Sequence, residues 1–417
     1  MRQYLSAFDA TALLRDRKRV AMALVLGLLA LVLIASGMGS GEPEPVGGPA
    51  MMRRLTEDQY RATIADIFAD DIEIAARFER PVRADGLIAI GTGEAGMSPF
   101  AVEQYDAAAQ SIAASVTSKK RRNQFMSCRP ADPARFDEKC AREFLGQKGR
   151  MLFRRPLAPR ELDRFVSIAR TAHARLGGFY EGLELGLYTM LVSPDFLFRI
   201  ERAEPGEGPT RQLDAFSKAS RLSYFLTNST PDDELLRAAE DGELNDSAGV
   251  ERQVARLMES PRYRVAVTAF FRDMLQFDRF SDLSKDPEIF PAFNSDVADA
   301  AQEQTLRTIA EHLIDRDGDY RELFTTRDTF LNRDLGVIYR TPVAPRSEWQ
   351  PVTFAKNAHR AGIQSHISFL ALHSHPGRSS RHCADMRRAK FSCVSMCPIL
   401  RPMSISALWN RTPMSRW

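Results

Sequence analysis

Residues 158–191 read APRELDRFVSIARTAHARLGGFYEGLELGLYTML, and this stretch decides the fold class. Apolar side chains recur at helical spacing from Ala158 to Leu176 and again from Tyr180 to Leu191, with two glycines between the runs. Both runs read as apolar-striped helical segments. Pro194 ends the second run. The same periodicity extends outward on both sides, beginning near Phe136.

Upstream, Thr56 with Gln59 has the spacing of a capping box ahead of a helix through Ile67, and Ser98 followed by Pro99 opens a helix to about Val116. Downstream, Thr230, Pro231 and Asp233 predict a capped start for a helix over Asp232–Ala239. Val267, Phe270, Phe271, Met274 and Leu275 form one apolar helix face, expected to be core. Asp296 to Ile314 also reads as helix, and alternating strand patterns are rare. The expected fold class is mainly α, a multi-domain helical body behind an N-terminal transmembrane or signal helix.

That N-terminal helix is predicted by Arg15, Arg17, Lys18 and Arg19 preceding an uncharged apolar run from Val20 to Ala35. Sixteen residues at about 1.5 Å each span roughly 24 Å, short of a hydrocarbon core of about 30 Å unless Ser36 to Met38 extend the run. Small residues at Ala35 and Gly37 suit a signal peptidase, whereas the long basic segment before the run suits an uncleaved anchor. Either reading leaves the basic side in the cytoplasm and sends the body to the cell envelope, with the inner membrane as its first partner. Residues 1–19 are then a cytoplasmic basic segment, 20–38 the apolar helix and 39–51 a Gly/Pro-rich linker.

The 417 residues carry a formal charge of only +3, which gives no electrostatic reason to propose nucleic acid as a partner. There is no GxGxxG, Walker loop, GxSxG or HExxH motif, and no internal repeat. Cys128 and Cys140 flank a loop in a chain expected outside the cytoplasm, and are predicted to form a disulfide. Four of the seven histidines, His359, His366, His373 and His375, fall within seventeen residues and are the candidate metal ligands. Zinc needs three or four ligands in fixed geometry, which spacing alone does not supply, so helix capping or a surface position is the competing account. Asp232, Asp233 and Glu234 suggest acid–base chemistry, yet a first helical turn favours negative charge for structural reasons. Glu311 and His312 are read as ordinary members of an amphipathic helix.

Eight strings occur in order: Arg53-Arg54-Leu55-Thr56 with Tyr60, Phe153-Arg154-Arg155-Pro156-Leu157, Ser193-Pro194-Asp195-Phe196-Leu197-Phe198-Arg199, Arg221-Leu222-Ser223-Tyr224-Phe225-Leu226, Pro231-Asp232-Asp233-Glu234-Leu235-Leu236, Asp286-Pro287-Glu288, Phe330-Leu331-Asn332 and Arg360-Ala361-Gly362-Ile363. Together they resemble the bacterial domain-of-unknown-function family 1592 with its companion domains 1587, 1595 and 1588. The resemblance sets domains at 52–118 (1587), 136–200 (1595), 211–341 (1592) and 358–380 (the start of 1588). Thr227 and Arg340 depart from the family pattern, which has an aromatic and a glycine there. The resemblance implies an envelope protein associated with c-type cytochromes, carrying a Cys-x-x-Cys-His haem motif near its C-terminus.

Residues 381–417 break from the rest in composition. They hold three of the five cysteines, two of the three tryptophans and one acidic residue, Asp385. Back-translated with GC-rich codons and read two nucleotides on, this tail gives family-like sequence, so a frameshift near codon 380 is expected. Cys383, Cys393 and Cys397 then carry no functional reading, and the pair Cys393 and Cys397 has three residues between them instead of two. No haem is expected in this chain, and haem c only with the frame restored. The functional expectation is a helical scaffold or redox-accessory module that meets an envelope redox protein. The alternatives are a metal-dependent envelope enzyme using the His359–His375 cluster, or a non-catalytic structural or interaction protein.

Overall fold

Helix starts are set by local hydrogen bonds that the sequence supplies. In the computed structural model, which describes residues 50–93, 96–205, 210–345, 348–378 and 412–413, the Thr56 hydroxyl accepts from the Gln59 amide at 3.2 Å and the Gln59 side chain accepts from the Thr56 amide at 3.2 Å. This box opens α1, Glu57–Ile67. Ser98 accepts from the Ala101 amide at 3.1 Å ahead of α2, Pro99–Thr117. Asp137 caps α3, Glu138–Phe153, and Glu161 accepts the Ala158 amide at 2.8 Å to open α4, Pro159–Leu176. After Gly177, whose φ of 88° suits glycine, α5 runs Phe179–Leu191. Both helices lie where the apolar stripes predict, and their pairing as a hairpin is a finding of the structure.

The run ends at Leu191, ahead of Pro194, which itself opens a single helical turn, Pro194–Leu197, capped by Ser193. These elements share one core around the fully buried Tyr60, Phe144, Phe179 and Phe196. Cys128 and Cys140 form the expected disulfide, fastening the preceding loop to the first turn of α3. Disulfides form and persist in oxidising compartments. Closing a loop of this size restricts the unfolded chain, so reduction is expected to cost about 2–3 kcal/mol. Urea unfolding with and without dithiothreitol measures it, and Cys128→Ser should be insensitive to the reductant.

The central region starts with α6, Ala215–Leu226, capped by Asp214, and continues through α7, Asp233–Glu240. The cap of α7 is Asp232, whose carboxylate accepts from the Leu235 amide at 2.8 Å; the Thr230 hydroxyl donates to the Met151 carbonyl instead. α8, Ser247–Glu259, and α9, Pro261–Met274, close a second core with α6 around Leu222, Leu235 and Val254. α10 covers Ser295–Ala310, and the predicted continuation to Ile314 is a π-helical turn over Glu311–Asp315. Two short helices follow, α11 at Arg333–Tyr339 and α12 at Ile367–Leu372.

Strands are few. β1, Met52–Arg54, pairs antiparallel with β2, Phe198–Ile200, and β3, Asp328–Leu331, with β4, Gln350–Thr353. Thr210–Arg211 pairs with Thr412–Pro413. Among the described residues the fold is mainly helical, and no helix is long and apolar enough to cross a membrane. The expected N-terminal helix at 20–38 lies outside the described residues, as does the tail from Arg381 apart from Thr412–Pro413.

Candidate functional site

Two neighbouring features meet at the β1–β2 ribbon. Its register sets Arg53 opposite Arg199 and Arg54 opposite Phe198. Successive side chains on a strand point to opposite faces, so Arg53 and Arg199 share one face while Arg54 takes the other. Arg54 is buried and its guanidinium reaches Glu79 and the Gly96 carbonyl, both at 3.4 Å. Arg154 ends α3 with a left-handed backbone, φ 59°, and its buried guanidinium donates to four carbonyls: Leu152 at 2.9 Å, Asp195 at 2.6 Å, Phe196 at 3.2 Å and Phe198 at 2.6 Å.

Next to it, Arg155 forks onto Glu161, with both bonds at 2.8 Å, and reaches Asp195 at 3.0 Å. The guanidinium holds the Glu161 carboxyl down to about 2. Tyr224 of α6 shares its hydroxyl with Thr63 at 3.0 Å, and the Arg199 guanidinium lies 5.0 Å from its ring centre. Four of the eight strings quoted above therefore converge on one junction, from positions far apart in the chain.

On the Arg54 side of the ribbon lies a cleft of about 730 Å³, between β1–α1, the segment 78–92 and α9. Its walls are chiefly apolar, with Leu55, Phe78, Val82 and Tyr105 facing Val267, Phe270 and Phe271. The α9 stripe was expected to be core throughout, and this is corrected. Phe271, Met274 and Leu275 are buried, but Phe270 is 39 % exposed and, with Phe225 at 74 %, stands open in the cleft. Packing claims one side of the helix and the cleft takes the other.

Most carboxylates at the cleft are already committed. Asp273 accepts the Ile88 and Ala89 amides at 3.0 and 3.1 Å and pairs with Arg83 at 2.6 Å; Asp278 also pairs with Arg83, and Glu57 with Arg61 at 2.8 Å. Among the described residues Asp58 is the exception. Solvent in the cleft reaches it, yet protein crowds most of its surroundings, and this burial raises its carboxyl above the ordinary range against the opposing pull of Arg272.

The histidines do not gather. His359 is exposed with a left-handed backbone, φ 52°, and His375 is exposed in a bridge to Arg378. His366 is buried, its Nδ1 3.0 Å from the Thr305 hydroxyl, which lies 2.7 Å from that of Ser368. Burial first, and the Arg360 charge second, push its pKa down to about 3. His373 is buried with its ring edge-on to Phe369, centroids 4.5 Å apart. Among the described residues no group of three or more His, Cys, Asp or Glu side chains stands where it could hold a metal ion.

The acidic trio of α7 is structural. Asp232 accepts two bonds from Arg256 at 2.7 and 3.0 Å, Glu234 pairs with Arg256 at 3.2 Å and Asp233 with Arg150 at 3.2 Å. The donor set does not fit a covalently held haem. Two cysteines are joined to each other, and no Cys-x-x-Cys-His occurs in the sequence.

Three domain families match this chain: residues 53–118 match "Protein of unknown function (DUF1587)", 140–201 match "Protein of unknown function (DUF1595)" and 213–340 match "Protein of unknown function (DUF1592)". No curated protein and no solved structure matches it. The first and third matched regions line the cleft, and all three contribute to the arginine junction.

Proposed function

We propose that this chain is an exported helical scaffold of the cell envelope that binds an apolar group in the cleft between its DUF1587 and DUF1592 regions. The carrying observation is that cleft of about 730 Å³ with Phe225 and Phe270 open to it. Its size and mostly apolar walls are those of ligand sites, whose few polar groups orient what they hold. Large aromatics left open in a concavity gain free energy when an apolar group covers them. Export is supported by the Cys128–Cys140 disulfide and by the basic segment and apolar run at residues 15–35. On this reading the inner membrane is the first partner, and residues 358–380 open a 1588 domain. The redox-accessory role rests on what the scaffold binds, because its own residues do not fit haem.

Nile red, a neutral apolar dye, tests the binding. Phe270→Asp and Phe225→Ser are expected to weaken its affinity about 10-fold or more together, with unchanged circular dichroism. Undiminished dye binding by the folded double variant would contradict the proposal.

A further inference from the structure

The Arg53–Arg199 pair is an electrostatic anomaly. The two residues are directly opposite in an antiparallel ribbon, a placement in which like charges repel. The Nε atoms of both are buried without a hydrogen-bond partner, and no ion pair reaches either guanidinium among the described residues. A third arginine, Arg154, lies within electrostatic range, and its own guanidinium is bound only to neutral carbonyls. The nearby carboxylate, Glu201, is committed elsewhere: it accepts from Arg221 at 2.6 and 2.8 Å and from the Met51 amide at 2.9 Å.

Burial, joined by the charges of Arg53 and Arg154, pulls the Arg199 guanidinium down to about 10, so it remains a cation at neutral pH. Charges removed from water are ordinarily paired. Here the compensation is one aromatic face, Tyr224, 5.0 Å from the Arg199 guanidinium.

We propose that Arg53 and Arg199 form an anion site that takes a phosphate group, backed by Tyr224, which also lines the apolar cleft. Two guanidinium forks present the parallel donors that phosphate oxygens accept, and their summed charge matches the near-double charge of phosphate at neutral pH. Both residues are half-buried, so solvent reaches the pair. A free phosphate monoester carries that near-double charge and the phosphodiester of a phospholipid headgroup a single one, and both present acceptor oxygens to the two guanidinium forks. The site does not depend on the cleft binding anything.

The test uses the whole chain in a chloride buffer of fixed ionic strength. Inorganic phosphate is titrated while the melting temperature is followed, with acetate and chloride as matched controls. Phosphate at about 100 times its Kd is expected to raise the melting temperature by about 2–4 °C, and Arg53→Gln and Arg199→Gln are each expected to abolish the rise. In phosphate-free buffer either variant should melt no lower than the parent, because it removes one of two facing cations; a purely structural arginine would lower it. If Arg199→Gln does not fold, Arg53→Gln decides alone.

Flotation with phosphatidylglycerol vesicles identifies the source. The apolar run at 20–35 can hold the chain on a bilayer by itself, so vesicle binding that both variants weaken assigns a lipid headgroup; a phosphate response with vesicle binding that the variants leave unchanged, or with none, assigns a soluble phosphate. No phosphate response, or an equal one from acetate or chloride, overturns the proposal.

Discussion

Replacing Arg154 by methionine is expected to cost the fold about 3–5 kcal/mol, read as a lower urea midpoint at unchanged slope. Methionine matches the apolar stem but supplies no donor. The carbonyls of Leu152, Asp195, Phe196 and Phe198, all bonded to this guanidinium, would lose it together. Each buried acceptor left without a partner costs about 1–3 kcal/mol, and partial relaxation brings the sum below four times that. The backbone separates the contributions. Arg154 is left-handed, which strains a residue with a Cβ by about 1–2 kcal/mol. Arg154→Gly relieves that strain and is expected to cost about 1 kcal/mol less than Arg154→Met. A loss below about 1 kcal/mol for methionine would show that these carbonyls find other donors.

Acid is expected to destabilise the fold through His366. Its pKa falls from 6.5 in the unfolded chain to about 3 in the folded one, so folding favours the neutral ring. The contribution is fully present above pH 6.5 and is lost as pH falls towards 3, because only the unfolded chain gains the proton. The slope approaches about 1.4 kcal/mol per pH unit, giving a loss of about 2 kcal/mol by pH 5 and about 3–4 by pH 4. The upper part of that window is diagnostic, since ordinary carboxylates titrate below it. Chemical denaturation of wild type and His366→Gln between pH 7 and 5 checks it. The variant should be weaker at pH 7 and flat across the window; parallel slopes would mean that His366 takes up its proton without unfolding.

Local chemistry carried the legible part of the fold. Thr56 and Gln59, and Ser98 and Pro99, act through neighbours within a few residues, and α1 and α2 begin where these signals predict. The disulfide was legible because Cys128 and Cys140 are close in sequence and isolated from the other cysteines. Long-range geometry hid the rest. The arginine junction exists only because Met52–Arg54 pairs with Phe198–Ile200, a register that three-residue strands do not announce.

The cleft was hidden for a different reason. Val267, Phe270 and Phe271 have the spacing of a core stripe, and nothing in that spacing reveals that Phe270 is left half-open among the described residues. The histidines show the converse: closeness in sequence placed His359 and His375 at the surface and His366 and His373 inside. The π-helical turn at Glu311–Asp315 has no signature of its own in the sequence, because its apolar pattern continues that of α10.

The most direct test of the central claim is to displace Nile red with straight-chain alcohols from hexanol to decanol. If the cleft buries an apolar chain, each added methylene contributes about 0.8 kcal/mol and tightens binding about fourfold until the cleft is filled, and Phe270→Asp reduces the increment. An affinity that does not change with chain length, or an increment that Phe270→Asp leaves intact, would contradict the account.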